Sequence, residues 1–181
     1  MAIGNVSIEH LQEGIASIIR EAKDFKAIGK MKAFVIDVDG CLTDGQMWYT
    51  KDGKVMKSFG ADDHDALNLI KDMITIQFVT ADLLGWNISC SRIRDDMKFP
   101  LDRVPMDRRV QWIKDYWKLK DVIYMGDGIL DGDIFEKVGY SICPADGFYL
   151  TREKADYVTQ HSGGHRAVAE ACLHIKEKFG L

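Results

Sequence analysis

A chain of 181 residues, 46% of them apolar, is long enough for one substantial core and short for two full-sized ones, so a single domain over residues 1–181 is expected. The formal net charge of −4 leaves no basic excess to hold nucleic acid or anionic lipid, and neither is expected as a partner; a small molecule is. The four cysteines, Cys41, Cys90, Cys143 and Cys172, form no CxxC pair and have no zinc-site spacing, and they read as reduced thiols of a cytoplasmic protein. No uncharged apolar run approaches the ~20 residues that span a bilayer.

After Ser7, a candidate N-cap, Ile8, Leu11, Ile15, Ile18, Ala22 and Phe25 recur at three- and four-residue steps. That spacing predicts an amphipathic helix, an N-terminal extension over residues 1–30. Ala33-Phe34-Val35-Ile36 is a short continuous apolar run suited to a strand buried on both faces, and it ends abruptly in Asp37-Val38-Asp39-Gly40. In residues 46–59, Asp52-Gly53 stands between two β-prone arms, which predicts a projecting hairpin flap.

A helix is expected from about 63 to 73, followed by apolar runs at Ile74–Thr80, Val122–Met125 and Tyr140–Cys143 with helical periodicity between them. Ala155–Thr159 reads as a last short strand. Gly163-Gly164 then opens a final helix with Val168, Cys172, Ile175 and Phe179 as its apolar stripe. Strands alternating with helices imply an α/β fold around a doubly wound parallel sheet, whose function collects beyond the carboxyl ends of the strands. Three of those ends carry polar signatures: Asp37 and Asp39, Thr80, and Gly126-Asp127 with Asp131.

Asp37, Asp39 and Asp127 would repel one another if left empty, and an oxygen-only donor set suits Mg²⁺ better than a soft metal. With a phosphate held there, one carboxylate can attack phosphorus while a second protonates the leaving alcohol and later activates water. Thr80 offers a hydroxyl to the equatorial oxygens, and Arg108 or Arg109 a cation. The bland alternatives are a solvated helix start for the arginines and dipole-favouring acids at Asp62, Asp63 and Asp65.

In their order, DxD at the first strand, Thr at the second, a basic residue and then GDxxxD, these residues resemble the haloacid dehalogenase superfamily of phosphatases. Asp37-Val-Asp-Gly-Cys-Leu-Thr-Asp-Gly45, the Asp52-Gly53 hairpin, Pro144-Ala145-Asp146 and Ala155-Asp-Tyr-Val-Thr159 before Gly163-Gly164 narrow the likeness. It is to the capless branch that acts on octulosonate 8-phosphate and nonulosonate 9-phosphates. The resemblance implies a three-layer Rossmann-like fold with no large cap domain. It makes Asp37 the nucleophile and a metal ligand, Asp39 the general acid/base with its carbonyl on Mg²⁺, and Asp127 the third ligand. Asp131 and Gly126 support that shell. Thr80 and Ala81 bind phosphate together with Arg109, which falls where the family usually has Lys.

Asp63, His64 and His165 fall on loops that the resemblance places near the substrate. It further implies a homotetramer whose hairpins reach neighbouring subunits, and a role in making surface sugars such as those of lipopolysaccharide. The chain departs from the pattern where Thr-Gly-Arg becomes Thr80-Ala81-Asp82, where the second Asp of Gly-Asp-Asp becomes Gly128, and where the glycine after Asp63 becomes His64. These departures keep open a phosphatase for another small metabolite, or a catalytically weakened binding or regulatory homologue. A receiver-type signalling domain would lack Asp39 and GDxxxD.

Overall fold

The structure, a computed structural model, describes residues 31–181; the helix expected over residues 1–30 lies outside them. Strand β1 (Ala33–Asp37) is followed by a tight loop and by the antiparallel pair β2 (Trp48–Thr50) and β3 (Gly53–Met56). Then come α1 (Asp62–Ile70), β4 (Thr75–Thr80), α2 (Trp86–Cys90), β5 (Leu101–Arg103), α3 (Met106–Tyr116) and β6 (Val122–Met125). The chain finishes with α4 (Gly132–Phe135), β7 (Tyr140–Cys143), α5 (Tyr149–Lys154), β8 (Tyr157–Val158) and α6 (Ala167–Phe179). Six strands form one parallel sheet in the order β5-β4-β1-β6-β7-β8, so β1 is central and the chain winds outward from it in both directions.

The continuous apolar character of β1 has a direct cause in this arrangement. Phe34 and Ile36 face one core with Leu67 and Ile70 of α1 and with Val168, Cys172 and Ile175 of α6. Ala33 and Val35 face another with Ile113 of α3 and with Ile134 and Phe135 of α4. Both faces of the strand are covered, so neither can be polar. The result is the three-layer α/β sheet expected, with the hairpin as a separate two-stranded sheet. Among the described residues no helix is long and apolar enough to cross a membrane.

Several boundaries differ from those read in the sequence. Strand β5 was not expected: it follows Pro100, has only Leu101 buried, and lies at the sheet edge, where backbone pairing to Phe78, Val79 and Thr80 carries a segment with no apolar alternation. The last strand is only Tyr157–Val158, because Asp156 turns its carboxylate back to accept from the Ser141 backbone N–H and Oγ, at 2.9 and 2.8 Å. The final helix begins at Ala167, three residues after the glycine pair, with Arg166 in the left-handed region at φ 78°.

Asp63, expected near the substrate, instead serves this helix packing. It is fully buried on α1, and its Oδ1 accepts the Ala169 backbone N–H at 2.9 Å, satisfying a donor at the open end of α6. Burial raises its pKa against that hydrogen bond. Asp63→Ala is therefore expected to cost about 1–2 kcal/mol of stability, the worth of a lost helix cap. In a thermal melt this lowers Tm by about 2–4 °C per kcal/mol.

Candidate active site

The register of the sheet decides which side chains meet. Asp37 closes β1 opposite Val79 of β4, and Ile36 lies opposite Met125 of β6, so Thr80, the last residue of β4, and Gly126-Asp127, which follow β6, stand on either side of Asp37. A carboxylate oxygen from each of Asp37, Asp127 and Asp131 lies within 4.8 Å of the others. Gly40 makes the approach possible: with φ at 91° and no side chain it lets Asp127 in, and a Cβ there would overlap the Asp127 carboxylate. Gly126 does the same for Asp131, since a Cβ would stand 2.5 Å from the Asp131 Cγ.

Arg109 enters this cluster from the first turn of α3. Its guanidinium is wholly buried, 3.0 Å from Asp37 Oδ2 and 3.7 Å from Asp131 Oδ1, and it donates to Tyr124 Oη at 2.7 Å. Tyr124 in turn donates to Asp131 Oδ1 at 2.7 Å, while Asp131 Oδ2 accepts from the Gly128 N–H at 2.9 Å. At Gly128, where the family has a second Asp, it is thus the backbone N–H that meets Asp131. Burial disfavours the charge on Arg109, but Asp37, Tyr124 and Asp131 together outweigh it and hold the arginine protonated. Arg108 points outward, with its side chain 77% exposed beside Asp107.

Asp39 is turned away from the other acids. Its Oδ1 lies 2.6 Å from Lys57 Nζ, and its Oδ2 accepts from Thr80 Oγ1 at 2.9 Å. Thr80, expected to face phosphate, is buried and has its hydroxyl donated to Asp39 and accepting from the Asp82 N–H at 3.0 Å. Lys57, just past β3, also reaches Asp82 at 2.9 Å and Ser89 Oγ at 3.0 Å with no side-chain exposure, and Lys54 pairs with the same Asp82 carboxylate. Burial opposes ionisation of Asp82, but hydrogen bonds from Lys54 and Lys57 pull it down to about 2.

The sequence marked Asp82 only as a departure from the family pattern, and neither lysine stood out in it. Their one signal was a pair of charges three positions apart along an otherwise β-prone arm, and nothing local says that the hairpin folds back on its own chain. It is a tethered flap, with Trp48, Tyr49 and Met56 left exposed.

A cavity of about 530 Å³ opens over these groups, lined by Asp37, Asp39, Lys54, Asp82, Arg109 and Asp127 among others, and Ala81 and Asp131 border it too. Asp63, His64 and His165, expected as substrate contacts, do not line it. His64 stands edge-on to Phe99, with ring centroids 6.2 Å apart, and His165 Nδ1 lies 3.0 Å from the Gly163 carbonyl oxygen.

Around this cavity the carboxylates of Asp37, Asp39, Asp82, Asp127 and Asp131 face the cations Lys54, Lys57 and Arg109, a shortfall of two positive charges when all are ionised. One divalent cation supplies that charge, and three convergent carboxylates are the hard-oxygen donors it prefers, so the residues present fit such an ion. Without it, protons take up the charge. Burial, then Asp37 and Asp131, push Asp127 up to about 8, and burial lifts Asp37 to about 7 against the pull of Arg109.

No protein-family model matches the chain. It is 29% identical over 151 residues to the 3-deoxy-D-manno-octulosonate 8-phosphate phosphatase KdsC of Salmonella typhi, covering 78% of this chain and 77% of that one. The fold matches the same-named phosphatase of Moraxella catarrhalis, solved with magnesium, phosphate and KDO, with TM-score 0.75 and 26% identity over 88% of this chain and 93% of that one. It also matches a cobalt-bound Haemophilus influenzae phosphatase of this kind, with TM-score 0.73 and 25% identity over 83% and 90% of the two chains. In sequence and in fold this chain resembles these haloacid dehalogenase phosphatases.

A proton on Asp127 that the unfolded chain lacks above its usual range stabilises the metal-free fold at low pH, and that stability is lost as pH rises from about 4 through about 8. Metal-free protein is therefore expected to melt lower at pH 8 than at pH 6, and added Mg²⁺ to raise Tm more at pH 8. Asp127→Asn should raise the metal-free Tm at pH 8 and abolish most of the Mg²⁺ response. Differential scanning calorimetry across pH, with and without chelator, reads both.

Proposed function

We propose that this chain, a phosphatase of the haloacid dehalogenase type, hydrolyses the phosphomonoester of a small sugar acid through an aspartyl-phosphate at Asp37. The observation that carries the reading is the placement of two carboxylates with opposite surroundings at one strand end. Asp37 stands among acids and Arg109, and Asp39 stands between Lys57 and Thr80. One carboxylate is set for attack and the other for proton transfer. The relatives named for octulosonate 8-phosphate support the sugar-acid substrate.

In this reading Asp37, Asp127 and the Asp39 carbonyl hold Mg²⁺, with Asp131 behind them. The ion, when bound, neutralises phosphate oxygens and offsets the mutual repulsion of the acids. Asp37 is aimed by its Oδ1, which accepts the Val38 N–H at 2.8 Å, and by Arg109 on Oδ2. It attacks phosphorus as the bond to the leaving alkoxide breaks, and protonated Asp39 passes its proton to that alkoxide. Asp39, now ionised and steadied by Lys57, takes a proton from water. The resulting hydroxide attacks phosphorus, releases inorganic phosphate and restores the Asp37 carboxylate. Arg109 and Ala81 border the phosphate, and Thr80 acts by orienting Asp39.

We also read the chain as one domain of a soluble cytoplasmic homotetramer, with the exposed Trp48, Tyr49 and Met56 of the hairpin available to a neighbouring subunit.

Phosphate release with Mg²⁺ over a panel of ulosonate phosphates and ordinary sugar phosphates tests the reading. Asp37→Asn is expected to cut kcat by at least about 10³-fold with the fold intact, and Asp39→Asn by about 10²–10⁴-fold. Undiminished turnover in Asp37→Asn would sink the mechanism. Turnover confined to phosphates without a carboxylate would sink the substrate and keep the chemistry.

A further inference from the structure

Lys54 and Lys57 both reach Asp82 from the hairpin, but they differ in what remains of their hydrogen-bonding capacity. An ammonium has three N–H donors and no acceptor. Lys57 has three partners for its three donors, Asp39, Asp82 and Ser89. Among the described residues Lys54 has only Asp82 as a hydrogen-bond partner, with its Nζ also 5.8 Å from the Tyr49 ring centroid, so two donors remain. Its side chain is 2% exposed, and it lines the cavity beside Tyr49 and Met47. Gly85 closes the opposite side: a Cβ there would come within 2.6 Å of Lys57 Cε and 2.9 Å of Lys54 Cδ, so both stems are packed tightly against that backbone.

We propose that Lys54 is a specificity-determining residue which, anchored by Asp82, gives its remaining N–H donors to a carboxylate on the leaving group of the substrate. This rests on the sugar-acid reading above. Arg109 is unsuited to the task, because its guanidinium is buried among Asp37, Asp131 and Tyr124. Asp82 shares its charge between two lysines, so Lys54 can turn donors toward a ligand without leaving Asp82 unpaired. Where the family pattern has an arginine after the threonine of the second strand, this chain has an acid that draws a cation in from the hairpin. A cation is kept in the cavity while its point of attachment moves to the hairpin and an acid is added beside it.

Binding is measured by calorimetry with Mg²⁺ on the Asp37→Asn protein, which cannot consume its ligand, with and without Lys54→Met. The probes are 3-deoxy-D-manno-octulosonate 8-phosphate and glucose 6-phosphate, which has a phosphate and no carboxylate. Loss of Lys54 is expected to raise the Kd of the ulosonate phosphate about tenfold or more and that of glucose 6-phosphate less than about twofold. Lys54→Arg should recover part of the difference. Lys54→Gln should show the same split, and it serves if the methionine variant fails to fold. Equal weakening of both ligands would make Lys54 a tether of the hairpin and overturn the proposal, as would no weakening of either. Failure of the sugar-acid reading looks different: with Lys54 intact, the ulosonate phosphate would bind no better than glucose 6-phosphate, and the recognition role would fall with it.

Discussion

Mutual repulsion among carboxylates at the end of the central strand is the constraint on which the rest of this structure depends. Asp37, Asp127 and Asp131 are brought within 4.8 Å of one another by strand register and by glycines that leave no room for side chains. Such crowding is tolerable only if positive charge or protons offset it. Arg109 is buried for that reason, bridging Asp37 and Asp131 and tied in place by Tyr124. Removing one partner of so enclosed a set would leave a buried charge alone, at a cost of about 3–5 kcal/mol. The shortfall that remains corresponds to one divalent ion, so the electrostatics that strain the metal-free protein are also what would bind the metal.

A second set of charges works by the same rule on the other side of Asp37. Asp39 and Asp82 are matched by Lys57 and Lys54, and all four are largely withdrawn from solvent. The pairing fastens the hairpin over the cavity, and it separates the carboxylates of Asp37 and Asp39 by environment. Asp37 sits with acids and an arginine, whereas Asp39 has a lysine and a hydroxyl to itself. Two aspartates two residues apart thereby acquire different surroundings, because Asp39 points across Thr80 toward the hairpin and Asp37 across Arg109 toward Asp131.

Much of this was legible in the chain. The apolar run of Ala33–Ile36 announced a strand covered on both faces, and the acids behind it announced a site, because buried strands reverse to polarity only where the chain leaves the sheet. Asp37, Asp39, Thr80, Arg109, Asp127 and Asp131 do converge. Asp63 looked like a site residue because an acid in a helix's first turn and an acid facing a ligand carry the same letter; packing of α1 on α6 makes it a cap. His64 and His165 do not line the cavity, since position in a loop does not say which way a side chain faces.

By itself the sequence determined the alternation of strands and helices, the turn at Asp52-Gly53, and the order in which the acids, the threonine and the arginines appear. These are local properties, set by periodicity and by residue chemistry within a few positions. Only the tertiary structure decided that Arg109 and not Arg108 meets Asp37, that Thr80 turns to Asp39, and that Lys54 and Lys57 fold back to meet Asp82. Those outcomes depend on helix rotation, strand register and the angle of the hairpin, which bring together residues tens of positions apart and leave no trace in the spacing of either partner.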